Sequence, residues 1–153
     1  LISIYENKLK EIHGEAFVDL PALSFLQLGD NQLEMLPATI FRSTTKLTKL
    51  YLDNNKLKGI DSDTFKGLTE LMFLELNDNQ IEVLPKGLFD DNQKLISVEL
   101  HHNKLTKIDL DKLPKLANLS LAGNICIDQN CVSPACNSSS MEFIELIRQK
   151  CSN

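Results

Sequence analysis

Apolar positions along the chain recur as a block of fixed length rather than as a continuous stripe. One aliphatic frame runs through Leu23, Leu26, Leu28, Leu33 and Leu36, and the next through Leu47, Leu50, Leu52, Leu57 and Ile60. Leu71, Leu74, Leu76, Ile81 and Leu84 repeat it, Leu95, Val98, Leu100, Leu105 and Ile108 continue it, and Leu116, Leu119 and Leu121 finish it. An asparagine two residues before an aliphatic one marks each block: Asn7, Asn31, Asn55, Asn79 and Asn103 are 24 apart, and Asn124, with Cys126 at the aliphatic place, follows after a step of 21. Phe17, Phe41, Phe65 and Phe89 keep the same interval of 24. The chain is therefore about five and a half copies of LxxLxLxxNxL, a period that belongs to stacked repeats.

Each position in the block has a physical role. The central LxL alternates with period two, which puts both leucines on one face of a short strand and the residues between and beside them on the other. The asparagine falls where the chain leaves the strand, and its amide can satisfy backbone groups that burial would otherwise leave unpaired. The later aliphatic residue and the Phe fill the returning half of the coil. A single repeat cannot offset the entropy of ordering its own residues, so the repeats must stack. An amphipathic helix or coiled coil needs spacings of three and four without interruption. Pro37, Pro85 and Pro114, with Gly29, Gly59, Gly67 and Gly87, break any such helix.

Residues 1–124 resemble the 24-residue leucine-rich repeats of extracellular proteins, with a Phe near the end of each unit. Toll-like receptor ectodomains, lamprey variable lymphocyte receptors, small proteoglycans and mosquito leucine-rich immune proteins are of this kind. The resemblance implies an α/β repeat solenoid: a leucine-rich repeat horseshoe with short parallel strands on its concave face and a disulfide-bonded C-terminal cap containing a short helix. Residues 1–124 are then the repeats, without an N-terminal cap, and residues 125–153 the cysteine-rich C-terminal cap.

The repeat stops after Asn124, and Cys126, Cys131, Cys136 and Cys151, all the cysteines of the chain, follow. Ser139 with Glu142 three residues on is a capping-box start, and Phe143, Ile144, Ile147 and Cys151 share one side of the helix that follows. The cysteine gaps of five, five and fifteen lack the CxxC pairs of a zinc site, and the histidine pair His101-His102 sits in another repeat, so disulfides are expected. Four cysteines allow three pairings. Resemblance to related caps implies the interleaved one, Cys126 with Cys136 and Cys131 with Cys151, although the spacing departs from the CxC opening of those caps. Disulfides belong to an oxidising compartment. The sequons at Asn118 and Asn137 agree with an extracellular address, secreted or on the cell surface.

In this architecture the positions flanking the strand leucines point out of the concave face. They give Phe25 and Gln27, then Lys49, Tyr51 and Asp53, then Phe73, Glu75 and Asn77, then Glu99 and His101. Ser3, Tyr5, Asp30, Asp78, Ser97, His102, Asn118 and Ser120 share the face. Aromatic anchors ringed by polar groups are the make-up of a protein-recognition surface. A single exposed aromatic carries no such meaning; Phe25, Tyr51 and Phe73 on neighbouring strands do. A glycan on Asn118 would stand on the same face and confine a ligand to the strands between Tyr5 and His102. His101 and His102 beside Glu99 read either as a pH-sensitive patch or as ordinary polar residues on a wet face.

Composition narrows the function further. The 153 residues are 42% hydrophobic and 24% charged, a globular balance for one ordinary domain. Twenty-one acidic against 16 basic residues, net −5 with no Lys/Arg cluster, argue against nucleic acid or an anionic membrane as partner. No apolar run is long enough to insert in a membrane, and the opening LISIYENKLK lacks the features of a signal peptide. No nucleophile–base arrangement or phosphate-cradling glycine loop is visible, so no catalysis, cofactor or metal is expected. A hydrolase built on Glu75, Glu99 and His101 is the rival class; it is weakened because carboxylates recur naturally when repeats stack and an open face does not exclude water. The expected function is a non-catalytic extracellular protein-recognition module, the ligand-binding part of an innate-immune receptor or secreted immune recognition protein. The alternative is a matrix, cell-adhesion or developmental repeat protein with a protein ligand. Because Leu1-Ile2-Ser3-Ile4 enters partway through a repeat, the amino end is expected to be covered by further repeats, a cap or a second copy of the chain.

Overall fold

The computed structural model describes residues 1–108, 114 and 116–125. The expected cap helix, the four cysteines and Asn137 lie outside the described residues. Within them the LxL segments form β1 (Ile2–Ser3), β2 (Phe25–Gln27), β3 (Lys49–Tyr51), β4 (Phe73–Glu75), β5 (Ser97–Glu99) and β6 (Asn118–Ser120). All pair in parallel in chain order as one six-stranded sheet. The register follows the repeat: Leu26 faces Leu50, Leu50 faces Leu74, Leu74 faces Val98 and Val98 faces Leu119. Parallel strands need a crossover between them, and here each crossover is the rest of one coil.

Side-chain alternation puts Leu26, Leu50, Leu74 and Val98 inside, where each is fully buried. Leu28, Leu52, Leu76 and Leu100 lie behind them, equally buried. The far side of the core is a spine of phenylalanines. Phe17, Phe41, Phe65 and Phe89 stack with ring centroids 6.2, 6.4 and 6.2 Å apart and nearly parallel planes. One residue type in every coil thus fills one shaft of the stack.

The asparagines tie each coil to the one before. Asn55 donates from Nδ2 to the carbonyls of Leu28, Leu52 and Asp53, at 3.0, 3.2 and 3.1 Å, and its Oδ1 accepts from the amide of Leu33 at 3.0 Å. Asn31, Asn79 and Asn103 make the same bonds in their own coils, and Asn124 makes all but the bond to the carbonyl two residues before it. All five are buried, and an asparagine is suited to the position because one amide supplies both the donors and the acceptor.

The returning limb runs through turns, with no helix among the described residues. Successive three-residue steps close on themselves, as in Ile40 N–H to Pro37 at 3.1 Å, Thr44 N–H to Phe41 at 3.0 Å and Leu47 N–H to Thr44 at 3.0 Å. Prolines and glycines leave each limb too short to nucleate an α-helix. The α part of the α/β description therefore rests on the cap segment alone. Coil-to-coil bonds such as Lys56 N–H to Leu33 at 2.9 Å and Gln80 N–H to Leu57 at 2.9 Å hold the descending side together.

Candidate recognition face

The residues that alternate outward along β2 to β6 form rows across the sheet. One row runs Phe25, Lys49, Phe73, Ser97, Asn118, and the next Gln27, Tyr51, Glu75, Glu99, Ser120. A third contains Gly29, Asp53, Asn77 and His101, since the ladder of backbone bonds continues past the strands: Leu28 N–H donates to Tyr51 at 2.8 Å and Asp30 N–H to Asp53 at 3.1 Å. The ten residues expected on this face all lie on it, and all but exposed Lys49 are half-buried. Cross-strand contacts organise them. Phe25 and Tyr51 meet edge to face with centroids 5.1 Å apart, and Lys49 Nζ sits 5.4 Å from the centre of the Phe73 ring.

Each coil then leaves the strand through a residue of positive φ directly before its asparagine. Asp30, Asn54, Asp78 and His102 lie between 50° and 53°, Glu6 at 55° and Gly123 at 71°. Asn, Asp, His and Gly tolerate this region better than other residues, a signal present in the sequence but unread there. The turn lifts these side chains onto the rim of the face. Asp30 accepts from Asn54 Nδ2 of the next coil. It also accepts from the Tyr5 hydroxyl, whose pKa is pushed up to about 12, mainly by that bond and by the charge of Asp30.

Carboxylates crowd the middle of the face. Burial, then the charges of Asp30 and Asp78, hold the Asp53 carboxyl above its ordinary range. Burial, then Asp53 and Glu99, do the same to Glu75. Tyr51 is raised by burial and by Glu75 and Asp53. Asp53 lies over the buried backbone of Gly29, where a Cβ would come 2.5 Å from its Oδ1 and push the carboxylate aside. The Glu75 carboxylate has no hydrogen-bond or ion-pair partner among the described residues. Glu99 accepts from Asn118 Nδ2, which also donates to Ser97 Oγ at 3.1 Å. Along β2 to β5, among the described residues, five carboxylates, Asp30, Asp53, Glu75, Asp78 and Glu99, thus share the face with one ammonium, that of Lys49.

Sequence order hid one cluster. His101 and His102 appear partnered by Glu99, two and three positions away, yet His102 Nδ1 is 2.9 Å from Asp78 Oδ1, a residue 24 positions earlier. His101 Nδ1 is 3.4 Å from Glu99 Oε2 and 3.2 Å from Ser120 Oγ.

A family model for the leucine rich repeat matches residues 26–81 and 69–125. The chain belongs to the leucine-rich repeat family. Among solved structures, the LRIM1/APL1C complex is similar to this repeat chain with a TM-score of 0.79 and 27% identity, over 81% of this chain and 23% of that one. The TLR13-ssRNA13 complex follows with a TM-score of 0.72 and 32% identity, over 77% and 18%. The Toll–Spatzle complex of Drosophila development and innate immunity gives 0.71 and 28%, over 76% and 16%. The chain spans less than a quarter of the length of each of these proteins. No curated protein sequence matches it. Two of these three similar structures are complexes with protein partners, and one of those, Toll–Spatzle, is a hub of innate immunity. Among the described residues no helix is long and apolar enough to cross a membrane.

Proposed function

We propose that the chain is a non-catalytic, extracellular recognition module of innate immunity that holds a basic segment of a protein partner across β2 to β5 of its concave face. The observation that carries this is Glu75: a half-buried carboxylate without a compensating cation, at the centre of a strip of four others. A lysine or arginine from a partner would relieve the mutual repulsion of Asp53, Glu75 and Glu99. The Phe25–Tyr51 pair and Phe73 would pack against the apolar stem of such a side chain. An RNA partner, as in the TLR13 structure, would have to bring phosphates against the same carboxylates, which speaks against it here. Catalysis would need a water-excluding pocket and a paired acid and base; Glu75 and Glu99 are neighbours on an open sheet. The extracellular setting is supported by the similarity to immune ectodomains, and the cysteines of residues 126–151 and the sequons at Asn118 and Asn137 are read as its disulfides and glycosylation sites.

Affinity capture from extracellular fluid with the wild-type chain and with the Tyr51→Ala, Phe73→Ala and Glu75→Lys variants tests this. Partners are expected to be retained by the wild type, to dissociate as salt rises, and to be lost from all three variants, with truncation of an anchor costing about 2 kcal/mol or more in affinity. Equal capture by Glu75→Lys and wild type would sink the proposal.

A further inference from the structure

We propose that Asp78, His101 and His102 form a site for a divalent transition ion of the zinc class, at the rim of the concave face between the fourth and fifth coils. Adjacent residues in an extended strand point to opposite sides, so a His-His pair there normally splays apart. The left-handed φ of 53° at His102 reverses that alternation. It swings the second ring back beside the first, with centroids 5.0 Å apart and planes nearly perpendicular. Stacking then adds Asp78 from the preceding coil. Its Oδ1 lies 2.9 Å from His102 Nδ1 and its Oδ2 3.7 Å from His101 Nε2. One ligand atom from each of the three residues falls within 4.8 Å of the others.

Ligands about 2.0–2.1 Å from a tetrahedral ion are separated from one another by about 3.3 Å; the two Asp78 oxygens, one 2.9 Å from His102 Nδ1 and the other 3.7 Å from His101 Nε2, lie on either side of that value. The remaining separation lies within 4.8 Å, and the His102 side chain, 62% exposed, has the freedom to turn inward and close it. His101 is aimed by its other nitrogen: Nδ1 faces Glu99 Oε2 at 3.4 Å and Ser120 Oγ at 3.2 Å, which directs Nε2 towards Asp78. That is the carboxylate–histidine arrangement that orients metal-binding imidazoles. Behind His102 the stack has kept space open, since a Cβ on Gly123 would come 2.5 Å from the ring carbon Cδ2. Two imidazoles and a carboxylate without sulfur suit Zn²⁺, Cu²⁺ or Ni²⁺ rather than Ca²⁺ or Mg²⁺. Three protein ligands leave a coordination position open to water or to a side chain of a bound partner.

The same contacts could serve as a plain histidine–aspartate hydrogen bond, and titration with the metal alone separates the two readings. Calorimetry with zinc chloride on the whole chain, free of affinity tags, is expected to show one saturable site per chain. His102→Gln and Asp78→Asn should each weaken it by about tenfold or more. His13→Gln, which removes the remaining histidine in the first repeat, should leave it unchanged. The imidazole resonances of His101 and His102 should shift on zinc addition while that of His13 stays. Absence of saturable binding, or equal affinity in wild type, His102→Gln and Asp78→Asn, would overturn the site.

Discussion

At the scale of the residue, the raised carboxyl of Glu75 links the recognition face to stability. Burial, with Asp53 and Glu99 nearby, makes the folded state hold a proton on Glu75 more tightly than the unfolded chain does. Its contribution is therefore favourable below the unfolded carboxyl range and is lost as pH rises through the folded value; at neutral pH the ionised group works against folding. Glu75→Gln should raise the melting temperature at pH 7, by on the order of a degree given its partial exposure. The gain should vanish near pH 4, a comparison made by calorimetric melts of both chains at the two pH values. The left-handed residues give a second prediction. At Asn54, with φ of 51°, the β-branched substitution Asn54→Val should cost about 1–2 kcal/mol and Asn54→Gly nearly nothing, as read from urea midpoints. The sequence concealed this site class because Glu6 interrupts an otherwise visible series of Asp30, Asn54, Asp78, His102 and Gly123.

At the scale of the element, the strand, the asparagine and the Phe of each coil were legible because each recurs at a fixed interval and only one arrangement buries them all. Asn79 shows how much depends on one amide: it satisfies Leu52 C=O at 2.9 Å and Leu57 N–H at 3.0 Å, both in the preceding coil. Asn79→Ala orphans the Leu57 N–H and leaves the Leu52 carbonyl only its longer bond from Asn55, and should destabilise by about 1–3 kcal/mol, as measured by urea unfolding followed by circular dichroism. Phe65, fully buried between Phe41 and Phe89, should cost about 3–5 kcal/mol as Phe65→Ala in the same assay. Contacts among outward side chains were less legible. Tyr5 to Asp30, Asp53 over Gly29, and Asp78 to His102 all join neighbouring coils, and reading along the chain favours partners nearby in sequence instead. Residues 24 apart are next-door neighbours here, so the pairing becomes visible only when the repeats are written beneath one another.

At the scale of the whole molecule, a stack in which each coil touches only its neighbours gains stability coil by coil, and it turns six short strands into one continuous outward surface. The core of that stack is set by apolar residues common to every repeat; the face is set by the residues that differ, and these are what a partner reads. Charge follows the same division, because exposed pairs on the flank such as Lys58–Glu34 and Lys94–Glu70 are internally matched while Asp53 and Glu75 on the outward face are not. Binding of a basic partner should accordingly weaken as pH falls through the raised carboxyl range of Asp53 and Glu75 and as salt screens the field over about 10 Å at 0.1 M. Hydrogen-exchange mass spectrometry of the chain with and without a captured partner tests the central claim most directly. Slowed exchange confined to the peptides carrying Phe25–Gln27, Lys49–Tyr51, Phe73–Glu75 and Ser97–Glu99 is the predicted result; protection of the returning turns, with these four strands unchanged, would contradict it.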